Sequence, residues 1–239
     1  MKVVIAVVFG FFSLHSQVSR DALPNGVLSD GRLIDMFENI KNRTKGGSPQ
    51  IAKVSGSPYF DENFKTAQVD YFGEILKDNI YIRYNAFSDE MEIAKTKFQP
   101  SSEDVLIKNN KVACIIDGFT YKYLGYVREN KPPAVGYVKE LFKGKIFSFY
   151  VRETKQYKEA TIAKSSLERS FPPRFSDKIE YYISIENGSL NQIKLSKKRI
   201  LSALKSYTEQ IKSFIDINDV KLKNLDEFIA LFQYLDKSI

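Results

Sequence analysis

Two short runs hold the densest set of side chains able to do chemistry: Arg83-Tyr84-Asn85 and, just after it, Asp89-Glu90-Met91-Glu92. If a turn separates them, Arg83, Tyr84, Asp89 and Glu90 converge across a hairpin as a binding cluster. Paired carboxylates can divide acid and base roles on a glycosidic bond, provided their surroundings drive their pKa values apart. Asp89, Glu90 and Glu92 are therefore the candidates for a carboxylate-based glycan hydrolase. Alternation along a strand puts Glu90 and Glu92 on one face and Asp89 on the other. The plainer expectation is a charged turn with a cross-strand ion pair to Arg83. The acids lack the residue order of an EF-hand loop, so the pattern predicts no metal site of that kind.

Tyrosines form the second set. The chain has 14 Tyr and 18 Phe but no Trp. Tyr121 and Tyr123 would share one strand face, where such a row can stack on a sugar or line an apolar cavity. Tyrosines also suit the half-wet positions of an ordinary sheet.

What is missing narrows the chemistry further. His15 is the one histidine, and it lies in a stretch with the layout of a secretory signal peptide. Met1-Lys2 is followed by an apolar run from Val3 to Phe12 and by Ser13-Leu14-His15-Ser16, with cleavage expected after Ser16. The apolar run is about half the length of a membrane span. Without histidine the remaining chain has no Ser-His-Asp triad and no histidine metal site. Cys114, the one cysteine, sits in Val112-Ala113-Cys114-Ile115-Ile116, as a small buried hydrophobe would. No G-x-S-x-G elbow, Walker motif or G-x-G-x-x-G occurs, so neither a serine nucleophile nor a nucleotide cofactor has support. The formal net charge is +7. Dispersed lysines account for it as solubility, although anionic partners would also be attracted. Export argues against nucleic acid.

These residues need elements to hold them. Residues 17–56 read as an N-terminal segment: a loop at Pro24-Asn25-Gly26, a short helix with Leu33, Ile34, Phe37 and Ile40 on one face and Asp30 as its cap, then a linker. Residues 57–194 read as an antiparallel β domain of about eight strands. Hairpins are predicted at Asn109-Asn110, Asp117-Gly118, Lys143-Gly144 and Asn187-Gly188. The sheet is expected to curl towards a barrel and so hide its edges. Residues 195–239 read as a helical hairpin. Its first helix starts near Ser196 and carries Ile200, Leu201, Leu204, Ile211 and Ile215. Its second opens at Asn224, with Glu227 in capping-box position and a stripe from Leu225 to Leu235 that packs on the sheet.

Gly56-Ser57-Pro58-Tyr59, Ile82-Arg83-Tyr84-Asn85 and Asp89-Glu90-Met91-Glu92, with the closing helix pair, resemble exported proteins of unknown function common in Bacteroidetes. The resemblance implies a bacterial, exported, sheet-plus-helix protein and carries no activity with it. The expectation is thus an α+β fold with a large, curled antiparallel sheet. It acts as a non-enzymatic binding or interaction module of the periplasm or cell exterior, without a cofactor. Its partner would be a protein, a glycan or a lipid. One alternative is a carrier of an apolar ligand inside the curled sheet, with Lys139, Lys143 and Lys145 near its mouth. The glycan hydrolase is the other.

Overall fold

The computed structural model describes residues 54–98, 104–165 and 167–238, with the backbone but not the side chains of 77–79. The expected signal peptide, the short N-terminal helix with Asp30, and most of the linker lie outside the described residues.

Among the described residues, short aromatic and β-branched runs form nine strands in one sheet: β1 (Lys65–Tyr71), β2 (Glu74–Asn85), β3 (Glu90–Ala94), β4 (Val112–Ile116), β5 (Phe119–Val127), β6 (Ala134–Lys143), β7 (Phe147–Lys158), β8 (Arg174–Ile185) and β9 (Leu190–Ile193). Their order is β3-β2-β1-β4-β5-β6-β7-β8-β9, and successive neighbours are antiparallel. One further pairing changes the architecture. The end of β5 also pairs with β9 in parallel, Tyr126 with Leu190 and Val127 with Asn191. Strands β5 to β9 thereby close into a ring, while β1 to β4 continue outwards as an open sheet. The fold is α+β, with a large, mostly antiparallel curled sheet and C-terminal helices.

Alternation assigns the ring's two surfaces. Tyr126, Val138, Tyr150, Tyr182 and Leu190 pack together inside it. Phe147, Phe149, Ile183 and Ile193 point outwards and form the main core with the helices. Those helices are α1 (Lys197–Ala203), α2 (Thr208–Asn218) and α3 (Leu225–Lys237). Phe228, Leu231, Phe232 and Leu235 of α3 are all buried, in one core with Phe147 and Phe149 of the sheet and with Ile211, Phe214 and Ile215 of α2. Asn224 caps α3 by accepting from the Glu227 N–H, and Glu227 reaches back to the Lys223 N–H. The first predicted helix is broken. Leu204 leaves helical geometry, and a 3-10 turn over Lys205–Tyr207 separates α1 from α2. That break lets the Tyr207 ring meet Phe147 edge-on at 5.1 Å between centroids.

The hairpins at Asp117-Gly118, Lys143-Gly144 and Asn187-Gly188 form between β4 and β5, β6 and β7, and β8 and β9. The one at Asn109-Asn110 does not. Val105 bridges Glu92 on the outer edge of β3 instead, because β4 already has β1 on one side and β5 on the other. A second core lies on the open sheet, around Val69, Ile82, Met91, Cys114 and Tyr137. Cys114 is fully buried there, and burial pushes its thiol up to about 12. It packs as a hydrophobe.

Candidate functional site

The β2–β3 hairpin carries Arg83, Tyr84, Asp89, Glu90 and Glu92, and it splits them into two networks on its two faces. On one face Arg83 lies opposite Glu92 in register. Its Nε and Nη2 donate to the Glu92 carboxylate at 3.0 and 2.5 Å. Nη2 also donates to the Tyr59 hydroxyl, and Nη1 to the Glu62 carbonyl. The guanidinium is sandwiched between the rings of Tyr59 and Phe64, at 4.0 and 4.3 Å from their centroids. Tyr59 and Asn85 complete the coordination of Glu92. The predicted cross-strand pair is present, but it is buried rather than a solvated turn. Glu90 shares this face and meets Lys108 at 3.5 Å.

On the other face Asp89, at φ 57° in the turn, reaches across to the ring. Strands β6 and β7 pair only as far as Lys139 with Val151. Beyond that point they diverge, and the β2–β3 turn fills the gap. The Ala86 carbonyl accepts from the Lys155 N–H of β7. The Asp89 carboxylate accepts from the Tyr137 N–H of β6, from Arg152 Nη2 of β7 at 2.9 Å and from the Tyr84 hydroxyl at 2.6 Å. Gly136 makes the approach possible. A Cβ there would stand 2.5 Å from Asp89 Oδ2 and 2.8 Å from Arg152 Nη2, well inside contact distance. Burial, with the Asp89 charge beside it, pushes the Tyr84 phenol well above its ordinary range. Burial acts against the Arg152 charge, but Asp89 together with the Tyr126 and Tyr84 hydroxyls outweighs it and raises that group.

Both networks are held by the protein's own groups, although Arg83 and Tyr84 face one cleft and Tyr59, Glu62, Phe64 and Arg83 line another of about 610 Å³. Arg83 and Asp89 spend their hydrogen-bonding capacity on the protein, and Asp89 and Glu92 sit on opposite sides of the hairpin. Tyr123 packs edge-on against Tyr137 at 5.2 Å. Tyr84 and Tyr121 do come together, with centroids 5.9 Å apart, and both line a cleft of about 240 Å³.

Separate strands build that cleft. Lys65 of β1, Ile82 of β2, Ile116 of β4, Phe119 and Tyr121 of β5, Lys139 of β6 and Glu153 of β7 face it, with Phe60 and Asp61 at the rim. Its charges are paired in place. Lys65 bonds both Asp61 and Asp117, and Lys139 meets Glu153 at 2.6 Å. The bonds to Asp117 and Asp61 raise Lys65. The bond from Lys65, helped by the Asn63 N–H, holds the Asp61 carboxyl below the usual range. Burial, then the Glu153 charge, pushes the Tyr121 phenol up, so it remains a neutral hydroxyl. Lys139 lies 5.2 Å over the Phe119 ring. The cleft therefore offers aromatic surface framed by fixed, mutually neutralised charges. Lys143, by contrast, bonds Ser148 and Asn187, so it does not join Lys139 at a common mouth.

Sequence reasoning located Tyr121, Tyr84 and Arg83 but missed Phe60, Asp61, Lys65, Asp117, Phe119 and Glu153. Asp117 and Phe119 flank a hairpin that the sequence announces. The others join them only because the sheet curls. Among the described residues, no group of three His, Cys, Asp or Glu could hold a metal ion, and no described helix is long and apolar enough to cross a membrane. Comparison of the chain with known protein families, with curated proteins and with solved structures finds no match.

Proposed function

We propose that this is an exported, non-enzymatic binding module whose cleft at Tyr121 takes a small polar ligand with an apolar face, a sugar unit of a glycan. The single observation behind this reading is the composition of the cleft. Aromatic side chains (Phe60, Phe119, Tyr121) sit among carboxylates and lysines already oriented by one another. A sugar ring presents C–H faces that pack on aromatics, and hydroxyls that bond to such fixed charges. Pre-paired charges demand no net charge on the ligand, which suits a neutral glycan. The small volume suits one ring. Export rests on the composition of residues 1–16.

Hydrolysis is less well supported. A general acid needs a raised carboxyl pKa, and Lys65 drives Asp61 the other way. Asp89 and Glu92 do not share a cleft. The apolar-carrier reading lacks a chamber, because Tyr126, Tyr150 and Tyr182 fill the inside of the ring.

The test is calorimetric titration with a panel of neutral mono- and oligosaccharides, alongside Tyr121→Ala and Phe119→Ala. Saturable binding that falls at least tenfold in both variants, with unfolding midpoints little changed, is expected. The absence of binding across the panel would remove the glycan reading. Turnover of a bound oligosaccharide that disappears in Asp61→Asn or Glu153→Gln would replace the module with an enzyme.

A further inference from the structure

A second cleft, of about 290 Å³, opens where β5 and β9 run parallel and then part. We propose that it binds a tetrahedral oxyanion, a phosphate or sulfate group, through Arg128, Lys194 and Arg199. These three cations line the cleft against a single acid, Glu129. None of the three enters an ion pair among the described residues, whereas both lysines facing the Tyr121 cleft do. The carboxylate best placed by burial at this end of the ring, Glu180, is already committed to Lys178 and Gln192. Gln192 in turn accepts from the Glu129 N–H, which fixes the backbone beside the cleft.

Arg128 supplies the strongest reason. Its guanidinium lies 5.6 Å from the centroid of the Tyr126 ring, and Arg152 lies 5.1 Å from the same ring. Two guanidinium charges so close to one ring repel each other unless both are balanced. Asp89 balances Arg152. No described side chain pairs with Arg128 in the same way; a buried Nε without a hydrogen-bond partner is common to both arginines and does not separate them. An oxyanion in the cleft supplies the missing balance, because the planar fork of an arginine that lines it matches two oxygens of phosphate or sulfate. Arg199 on α1 and Lys194 after β9 add charge from the cleft's other wall. The preference is for a group carrying two charges, since the excess of cations over acids is two.

The first probes are sodium phosphate and sodium sulfate, titrated at constant ionic strength against wild type, Arg199→Gln, Arg128→Gln and Tyr121→Ala. The expected result is saturable 1:1 binding, weakened at least tenfold by Arg199→Gln and by Arg128→Gln and unchanged in Tyr121→Ala. Arg199 is exposed on a short helix, so its variant tests the site even if Arg128→Gln does not fold. Co-sedimentation with phosphatidylcholine vesicles, with and without phosphatidic acid, then separates the sources. Binding to the acidic vesicles that Arg199→Gln weakens assigns a lipid headgroup. Binding of the free ions alone assigns a soluble oxyanion. The proposal is overturned if neither ion nor vesicle binds, or if binding survives Arg199→Gln at full strength. Because Tyr121→Ala disables only the glycan cleft, failure of one site is distinguishable from failure of the other.

Discussion

The closed ring of β5 to β9 and the open sheet of β1 to β4 solve the same problem by different means. In the ring every strand has two neighbours, tyrosines and aliphatics fill the inside, and helices cover much of the outside. Stability there comes from apolar burial and from having no free edge. The open sheet ends at β3, whose outer edge, among the described residues, is met only by the short segment 104–106, and it has less apolar mass to bury. It is pinned by polar networks instead: Arg83 with Glu92 on one face, Asp89 with Arg152 on the other. Closure uses up the interior, and openness leaves a concave face. The Tyr121 cleft accordingly lies where the open sheet meets the ring rather than inside the ring.

The largest effects test that division directly. Phe232→Ala removes a fully buried ring from the helix–sheet core, and it should cost about 3–5 kcal/mol in denaturant unfolding. Arg83→Met should cost about 3–5 kcal/mol as well, because it strands the Glu92 carboxylate in a buried site. The paired replacement Arg83→Met with Glu92→Leu should recover most of that loss. Hydrogen exchange distinguishes the regions: Phe232→Ala should accelerate exchange in β7 and β8, whereas Arg83→Met should accelerate β2 and β3 first. If Arg83→Met loosens both regions equally, the sheet is one cooperative block and the contrast fails.

Gly136→Ala sharpens the comparison at the junction. Its Cβ would displace Asp89 or Arg152, and a loss of about 1–3 kcal/mol is expected. In an Asp89→Ala background the same substitution should cost much less. Additive losses in that cycle would mean the glycine matters for another reason.

The smallest effect lies at the far end of the ring. The Asp236 carboxylate of α3 accepts from the backbone N–H groups of Lys145, Ile146 and Phe147 and so locks the helix onto the β6–β7 turn. Gly144 leaves room for it, since a Cβ there would overlap the carboxylate. Desolvation pushes this carboxyl up, but the three N–H groups and Lys145 outweigh it and hold it below the usual range. A carboxyl lowered by folding stabilises fully above its unfolded value of about 3.9. That contribution is lost as pH falls through the lower folded value. Asp236→Ala should therefore cost about 1–2 kcal/mol at neutral pH, and its penalty should shrink in urea titrations carried down to pH 2. A penalty independent of pH would show that the carboxylate charge contributes nothing.

Much of this architecture is legible in residue order, because it depends on neighbours. Asp117-Gly118 and Asn187-Gly188 announce turns through residues tolerant of positive φ, and Asn224 with Glu227 announces a helix start through a local hydrogen bond. The false hairpin at Asn109-Asn110 shows where that logic stops. The dipeptide turns the chain, but whether the flanking segments pair depends on which strand edges are already taken. The helix break at Leu204 is similar, since the apolar spacing runs on through it while the turn that follows sets Tyr207 against Phe147 of the sheet.

The candidate site divides along the same line. Alternation puts Glu90 and Glu92 on one strand face and Tyr121 on the same face as Tyr123, and these depend on the chain alone; that Glu92 is the acid opposite Arg83 is settled by the register of β2 with β3. The capture of Asp89 by Arg152, the room left by Gly136 and the meeting of Lys65, Asp117, Lys139 and Glu153 around one cleft depend on how the whole sheet curls, as does the parallel pairing of β5 with β9. That pairing joins residues more than sixty positions apart. It is decided by closing an edge and filling a ring, quantities that belong to the whole sheet and to no local stretch of sequence.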